Sequence, residues 1–171
     1  MQTRSGFTLI ELLIVIFIMG LFTTTLVFRY SHHRYFLAMN SFSHLLKSEM
    51  ELARQQAILQ VNVLGLFITP TYYQFYKLKT NKTLQWVPLN EKDTFWNKTA
   101  IPADIYFNLR VNNNGILLAQ NNQQPMTSPQ IIFLPNGEIT PFVLTIRNQY
   151  TPQQLQIIAH AGGDISLEEF S

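Results

Sequence analysis

The sequence predicts an α+β protein, in which one long N-terminal α-helix, membrane-spanning in its first half, packs on an antiparallel two-sheet, β-sandwich-like domain. Three observations predict it. Neither Gly nor Pro interrupts Leu21 to Leu64. Apolar residues recur in that run with helical spacing. Beyond about residue 61 the period falls to two, with turn residues between the runs.

The helix begins in a stretch unlike the rest of the chain. From Phe7 to Phe28 there are 22 residues, and Glu11 is the only charged one. As a helix this segment is about 33 Å long, enough for a hydrocarbon core of about 30 Å. A carboxylate in such a segment costs up to roughly 3 kcal/mol, less near an end, so Glu11 needs a reason to be there. The segment lacks the small-residue cleavage site of an ordinary secretory signal, the first alanine being Ala38. Arg4 and the initial amine lie before it and Arg29 and Arg34 after it, so the charge rule leaves its direction undecided.

Residues 29–61 continue the helix in amphipathic form. Phe36, Met39, Leu46, Met50, Ala53, Ala57 and Val61 fall on one stripe, which is read as the face that the C-terminal domain covers. The expected helix runs from about Phe7 to about Gln60.

Residues 62–171 read as the β domain. "VNVLGLFI" and "TYYQFYKLK" form a hairpin across Thr69-Pro70, and "DIYFNLRV" and "FVLTIR" alternate as half-buried strands. "QIIFL", the turn Pro135-Asn136-Gly137 and "EITPFVLTIR" read as a second hairpin. "LQIIAHAGGDISL" reads as a third, turning at Gly162-Gly163-Asp164. Residues 90–103 look irregular, and "VNNNG" and "QNNQQPMTSPQ" look like polar loops.

Composition limits the functions. Residues 29–171 hold 11 Lys/Arg and 9 Asp/Glu, a balance that argues against nucleic acid as a partner. Without cysteine there is no thiolate metal site and no thiol catalysis. His32 and His33 face different directions on a helix, and His44 lies about 16 Å along the axis from His33, too far to share a metal. His160 reads as an ordinary strand-end histidine. Asp164, Glu168 and Glu169 lack loop-site spacing and read as a solvated tail rather than a calcium site. Tyr72, Tyr73, Phe75 and Tyr76 read as strand packing, and "NKT" at Asn81 and Asn97 as chance sequons. No nucleophile-elbow, phosphate-loop or zinc-protease motif is present. No cofactor, metal, small-molecule substrate or catalysis is expected.

"GFTLIELLIVIFIMG" resembles the N-terminal signature of type IV pilins and type II secretion pseudopilins. The resemblance implies a leader, residues 1–6, that a prepilin peptidase cuts between Gly6 and Phe7, with methylation of the new Phe7 amine. Glu11 then becomes the fifth mature residue and a counter-charge for that amine, within one chain or between neighbouring subunits. "ELARQQAILQ", "LQWVPL" and "IIFLPNGEITPFVLTI" narrow the resemblance to the GspH group, the minor pseudopilins H. That implies a single-pass inner-membrane protein with a cytoplasmic N-terminus and a periplasmic β domain. It also implies a place near the tip of the pseudopilus, between the major shaft pseudopilin and other minor pseudopilins, in support of the export of folded proteins. The nearest alternative is a minor pilin of a type IV or DNA-uptake pilus. A more distant one is an anchored enzyme or binding module.

Overall fold

The computed structural model describes residues 8–80, 83–89, 96–118 and 128–170, without the side chains of 23–33. Helix α1 spans Leu9–Gln60, 52 residues or about 78 Å. It starts two residues later than expected because Thr8 is extended and caps it, with Thr8 Oγ1 accepting from the Glu11 N–H at 3.4 Å. Its end is sharp. Val61 turns left-handed (φ 51°) and its N–H caps the last carbonyls, so the side chain expected to extend the core stripe is 76% exposed. Among the described residues no helical stretch is long and apolar enough to cross a membrane. Of the 7–28 segment, residues 8–22 are described with their side chains and 23–28 by their backbone, and Phe7 lies outside the described residues.

Ten strands follow: β1 (Leu64–Ile68), β2 (Tyr72–Thr80), β3 (Leu84–Pro88), β4 (Thr99–Ala100), β5 (Ile105–Val111), β6 (Asn114–Ile116), β7 (Ile131–Phe133), β8 (Phe142–Asn148), β9 (Gln154–Ala159) and β10 (Ile165–Phe170). One antiparallel sheet runs β3-β2-β1-β7 with β4 beside β2, and the other runs β10-β9-β8-β5-β6. The α+β, two-sheet expectation holds. The β1–β2 and β9–β10 hairpins form as read, and β5 buries Ile105 and Leu109 while exposing Tyr106, Asn108 and Arg110.

The middle hairpin does not form as expected. Phe133 bridges Ile139 and the Thr140 N–H reaches the Ile132 carbonyl, but pairing stops there. Pro141 has no N–H to continue the ladder, and β8 passes to the other sheet between β5 and β9. "VNNNG" is not a loop either. Asn112 and Asn113 both have positive φ, forming a two-residue turn that joins β5 to β6. Glu168 and Glu169 lie on β10, an edge strand, rather than in a tail. Within the supposedly irregular 90–103, Thr99–Ala100 pairs with β2, and 90–95 lie outside the described residues, as do 119–127 and Asn81.

One core joins the three layers. Met39, Leu46, Met50, Ala53 and Ala57 of α1 are fully buried against Leu66, Phe75 and Phe133 of one sheet and Leu144, Ile157 and Ala159 of the other. Tyr73, Phe75, Trp96 and Phe133 make edge-on and tilted ring contacts at 5.1–6.3 Å. Ser43 sits in the buried stripe and returns its hydroxyl to the Met39 carbonyl, so no polar atom is stranded there. At the far end of α1, Arg54 lies against two turns at once, near Gly137 (φ 88°) and Gly163 (φ 92°). A Cβ at Gly163 would run into the Gly137 carbonyl oxygen.

Glu49 is the exception on the helix's inner side, a carboxylate only 7% exposed. Burial raises its pKa above the ordinary carboxyl value, offset in part by the facing Tyr73 hydroxyl. Burial and the Glu49 carboxylate together push the Tyr73 phenol above its usual range. The two groups face each other without a formed hydrogen bond, since Glu49 Oε2 and the Tyr73 hydroxyl both lack a partner.

Two outcomes follow from this packing. Gly163→Ala, strained by its positive φ and by the Gly137 carbonyl, should lose about 2–3 kcal/mol in chemical denaturation. Gly162→Ala, which opens onto empty space, should change little, and equal losses would refute the packing account. For Glu49 the folded state holds the proton more tightly than the unfolded chain. Its contribution to stability therefore falls as pH rises from the unfolded value near 4.5 through the folded midpoint, then levels off. Melting the detergent-solubilised chain by near-ultraviolet circular dichroism should find Glu49→Gln the more stable near neutrality. That advantage should shrink as pH drops toward 4.5, and a gap independent of pH would contradict this reading.

Candidate interaction surface of the helix

Glu11 occupies the first turn of α1, three residues after the Thr8 cap. Thr8 and Glu11 have the spacing of a capping box, Thr-x-x-Glu, in which the acid complements the free N–H groups at the helix start. The sequence carried that signal, and the counter-charge reading passed over it. Gly6 and Phe7 lie outside the described residues.

From Leu9 to Phe22 every side chain is exposed, leaving Glu11 as the lone charge on an apolar rod. The lower half of α1 keeps a second apolar surface. Leu37, Leu45, Leu52 and Leu59 are all exposed, Leu59 to 82%. Their steps of eight, seven and seven residues keep them on one side of the helix, roughly 150° around the axis from the buried stripe at about 100° per residue. The sequence reading found the inner stripe and missed this outer one, although the same periodicity count reveals it. Lys47 and Glu51 form the ion pair on this half at 2.7 Å, four residues apart and part-exposed, a contact of a few tenths of a kcal/mol.

Among the described residues no catalytic arrangement gathers elsewhere. Among the described residues no three His, Asp or Glu side chains come together. His44 and His160 are exposed, and His160 belongs to the β9–β10 turn. Tyr73, Phe75 and Tyr76 are buried strand residues. A concavity of about 340 Å³ lies on the outer face of the second sheet, lined by Arg110, Val143, Ile158 and His160 among others. It brings no nucleophile to a base. The buried acid, Glu49, faces a tyrosine whose pKa is driven upward and which is therefore no proton acceptor near neutrality.

Residues 43–163 match the family model of the type II transport protein GspH, and residues 1–27 match the prokaryotic N-terminal methylation motif. Over 153 residues the chain is 25% identical to the type II secretion system protein H of Aeromonas hydrophila, covering 85% of this chain and 82% of that one. Its counterpart from Escherichia coli (strain K12) is 24% identical over 164 residues, covering 95% and 92%. The fold is similar to the crystal structure of the minor pseudopilin EpsH of the Vibrio cholerae type II secretion system, with a TM-score of 0.58 at 22% identity, covering 80% and 94%. It is also similar to the solution structure of Escherichia coli GspH, with a TM-score of 0.51 at 20% identity, covering 81% and 88%. At those identities the structures speak to the fold, while the family match spans most of the chain. A helix with one sealed and one open apolar face, a two-sheet domain and that match lead to one conclusion: the chain belongs to the type II transport protein GspH family.

Proposed function

We propose that this chain is a minor pseudopilin, a structural subunit of a type II secretion pseudopilus whose function is packing rather than catalysis. One observation carries the reading. A single continuous helix has an apolar first half with every described side chain exposed and a second half sealed on one face into a β domain. An exposed apolar rod in water is unfavourable by about 25 cal/mol per Å², so it needs a bilayer or other helices around it. In this reading residues 7–28 hold the subunit in the inner membrane, single-pass, with residues 1–6 on the cytoplasmic side and residues 62–171 in the periplasm. The subunit then joins the helical core of the filament near its tip, beside the major shaft pseudopilin and other minor pseudopilins. The outer leucines at 37, 45, 52 and 59 extend the apolar contact to neighbouring helices, while the β domain faces outward.

A prepilin peptidase would first cut between Gly6 and Phe7 and methylate Phe7. The hydrophobic helix stays in the product because the cut precedes it. Glu11 then serves two groups, the free N–H ends of its own helix and the new amine of a neighbouring subunit.

The processing reading expects a mature chain lighter by the six leader residues and beginning with N-methyl-phenylalanine, while Gly6→Val stays uncut. Mass spectrometry of the N-terminal peptide from membrane-extracted protein checks it, and an intact Met1 on functional protein would overturn it. The Glu11 reading expects insertion and cutting to survive Glu11→Ala but crosslinking to the shaft pseudopilin to fall. Losing one partner of a buried pair typically costs about 3–5 kcal/mol. Thr8→Ala is the local control, loosening the first turn by about 1 kcal/mol and leaving crosslinking in place. Equal crosslinking by wild type and Glu11→Ala, at equal membrane abundance, would rule out the role between subunits.

A further inference from the structure

The β domain has a distinct end on the side from which the apolar rod departs. Tyr35 of α1 stacks on Tyr150 with ring centroids 4.5 Å apart. Tyr150 belongs to the turn between β8 and β9, and beside it the Tyr106 hydroxyl donates to Gln149 Oε1 at 3.2 Å. Tyr150 is 45% exposed and Tyr106 53% exposed. Arg147 is exposed at the same end, and Arg34 is exposed at the same height on the outer, leucine-bearing side of the helix. Asp104, the carboxylate beside them, is half-buried and accepts from Asn148 Nδ2 at 2.6 Å, and counted against the two arginines it leaves this rim one net positive charge. The opposite end, with Gly137 and Gly163 around Arg54, lies 19 residues further along the helix from Tyr35, about 28 Å away.

The spacing along α1 sets where this rim would stand. Tyr35 follows Phe28, the end of the apolar segment, by seven residues, or about 10 Å of rise. A bilayer's polar layer extends about 5–8 Å beyond the hydrocarbon on each side. Side chains on a helix lean toward its N-terminus, so the Tyr35 ring, and Tyr150 stacked on it, reach back toward that layer. Tyrosine suits it, with an apolar ring and a polar tip, and is enriched there. Arginine on an anionic surface adds roughly 1 kcal/mol per residue.

We infer that the rim formed by Arg34, Tyr35, Tyr106, Arg147 and Tyr150 is a membrane-docking surface that seats the β domain on the phospholipid headgroups of the bilayer holding the apolar helix. The inference rests on the anchor reading above. Before assembly it fixes the domain upright against the membrane, and leaving the bilayer requires this contact to break.

Because the chain has no cysteine, single-cysteine nitroxide labels test this on the full-length protein. It would be reconstituted in vesicles of phosphatidylethanolamine and phosphatidylglycerol carrying a headgroup-chelated nickel lipid. Labels go at Ile16→Cys in the rod, Ala103→Cys at the rim and Gly162→Cys at the far end, where the position opens onto empty space. The Ile16 label should lie in the acyl region. Nickel should relax the Ala103 label several-fold more than the Gly162 label, and Tyr106→Ser with Tyr150→Ser should remove most of that excess. If Ile16 is in the acyl region but Ala103 is relaxed no more than Gly162, the docking surface is refuted while the anchor stands. An excess that survives loss of both tyrosines refutes the assigned residues. Ile16 outside the acyl region refutes the anchor and the docking surface together.

Discussion

Both sheets close on one surface, the inner stripe of α1 formed by Met39, Leu46, Met50, Ala53 and Ala57. The two alanines matter as much as the larger residues. Their small side chains keep the lower turns of the helix near the sheets, where the Arg54 side chain lies against Gly137 and Gly163 together. The inner rows around Leu66 and Phe133 and around Leu144 and Ile157 share one core with this stripe, and those rows could not face water alone. The helix is therefore part of the domain's core as well as an arm projecting from it. No Gly or Pro between Leu21 and Gln60 provides a hinge between the two roles.

That sharing explains the unusual distribution of polar groups. Where the helix meets the sheets, polarity is only partly accommodated, and Arg54 Nε, Gln56 Oε1 and the Tyr73 hydroxyl stay buried without a hydrogen bond. Ser43 bonds back to its own turn, and Glu49 shifts toward its protonated form because burial disfavours the charge. On the rod, by contrast, Glu11 is kept in an apolar run where nothing in the chain's own core requires it. A cap explains a carboxylate in the first turn, worth at most about 1 kcal/mol when exposed. Under the proposed anchor reading the cap does not by itself repay placing a charge in a membrane, and the inter-subunit partner proposed for Glu11 is what would supply the difference.

Much of this fold was legible in the sequence, and the losses have identifiable causes. Period-3.6 and period-2 patterns located α1, β5, β8 and the β9–β10 hairpin because each buries one face only. The middle hairpin misled because Pro135-Asn136-Gly137 does form a turn. Local turn chemistry says nothing about which sheet receives the next strand, and Pro141 decides that by ending the ladder. Asn112 and Asn113 looked like loop residues because asparagine is polar, yet its tolerance of positive φ makes it suited to a two-residue hairpin turn. Val61 fits the helical count but sits past the cap, where periodicity carries no information. For the interaction surface, Glu11 is legible as the one charge in an apolar run. The outer leucines and the Thr8–Glu11 cap are less so, because single exposed leucines are ordinary on a helix surface and a Thr-x-x-Glu pair is a four-residue signal inside a long apolar run.

The sheet edges show which surface is left for association. An open edge is a template for further strands, and each edge here is blunted. β10 carries Glu168 and Glu169, β3 ends in Pro88, and β6 is three residues long. On the fourth edge β7 is equally short, and beyond it the Gln130 amide takes the place of a strand. Its Oε1 accepts from the Ile68 N–H at 2.9 Å and its Nε2 donates to the Ile68 carbonyl at 3.0 Å. A domain whose edges are closed in this way is poorly made for joining its neighbours strand to strand. The helix is the opposite case, exposing apolar side chains from Leu9 to Phe22 and again at Leu37, Leu45, Leu52 and Leu59. On the proposed reading, packing is thus directed to helix against helix, with the sheets holding the helix in register and keeping their described edges out of the contact.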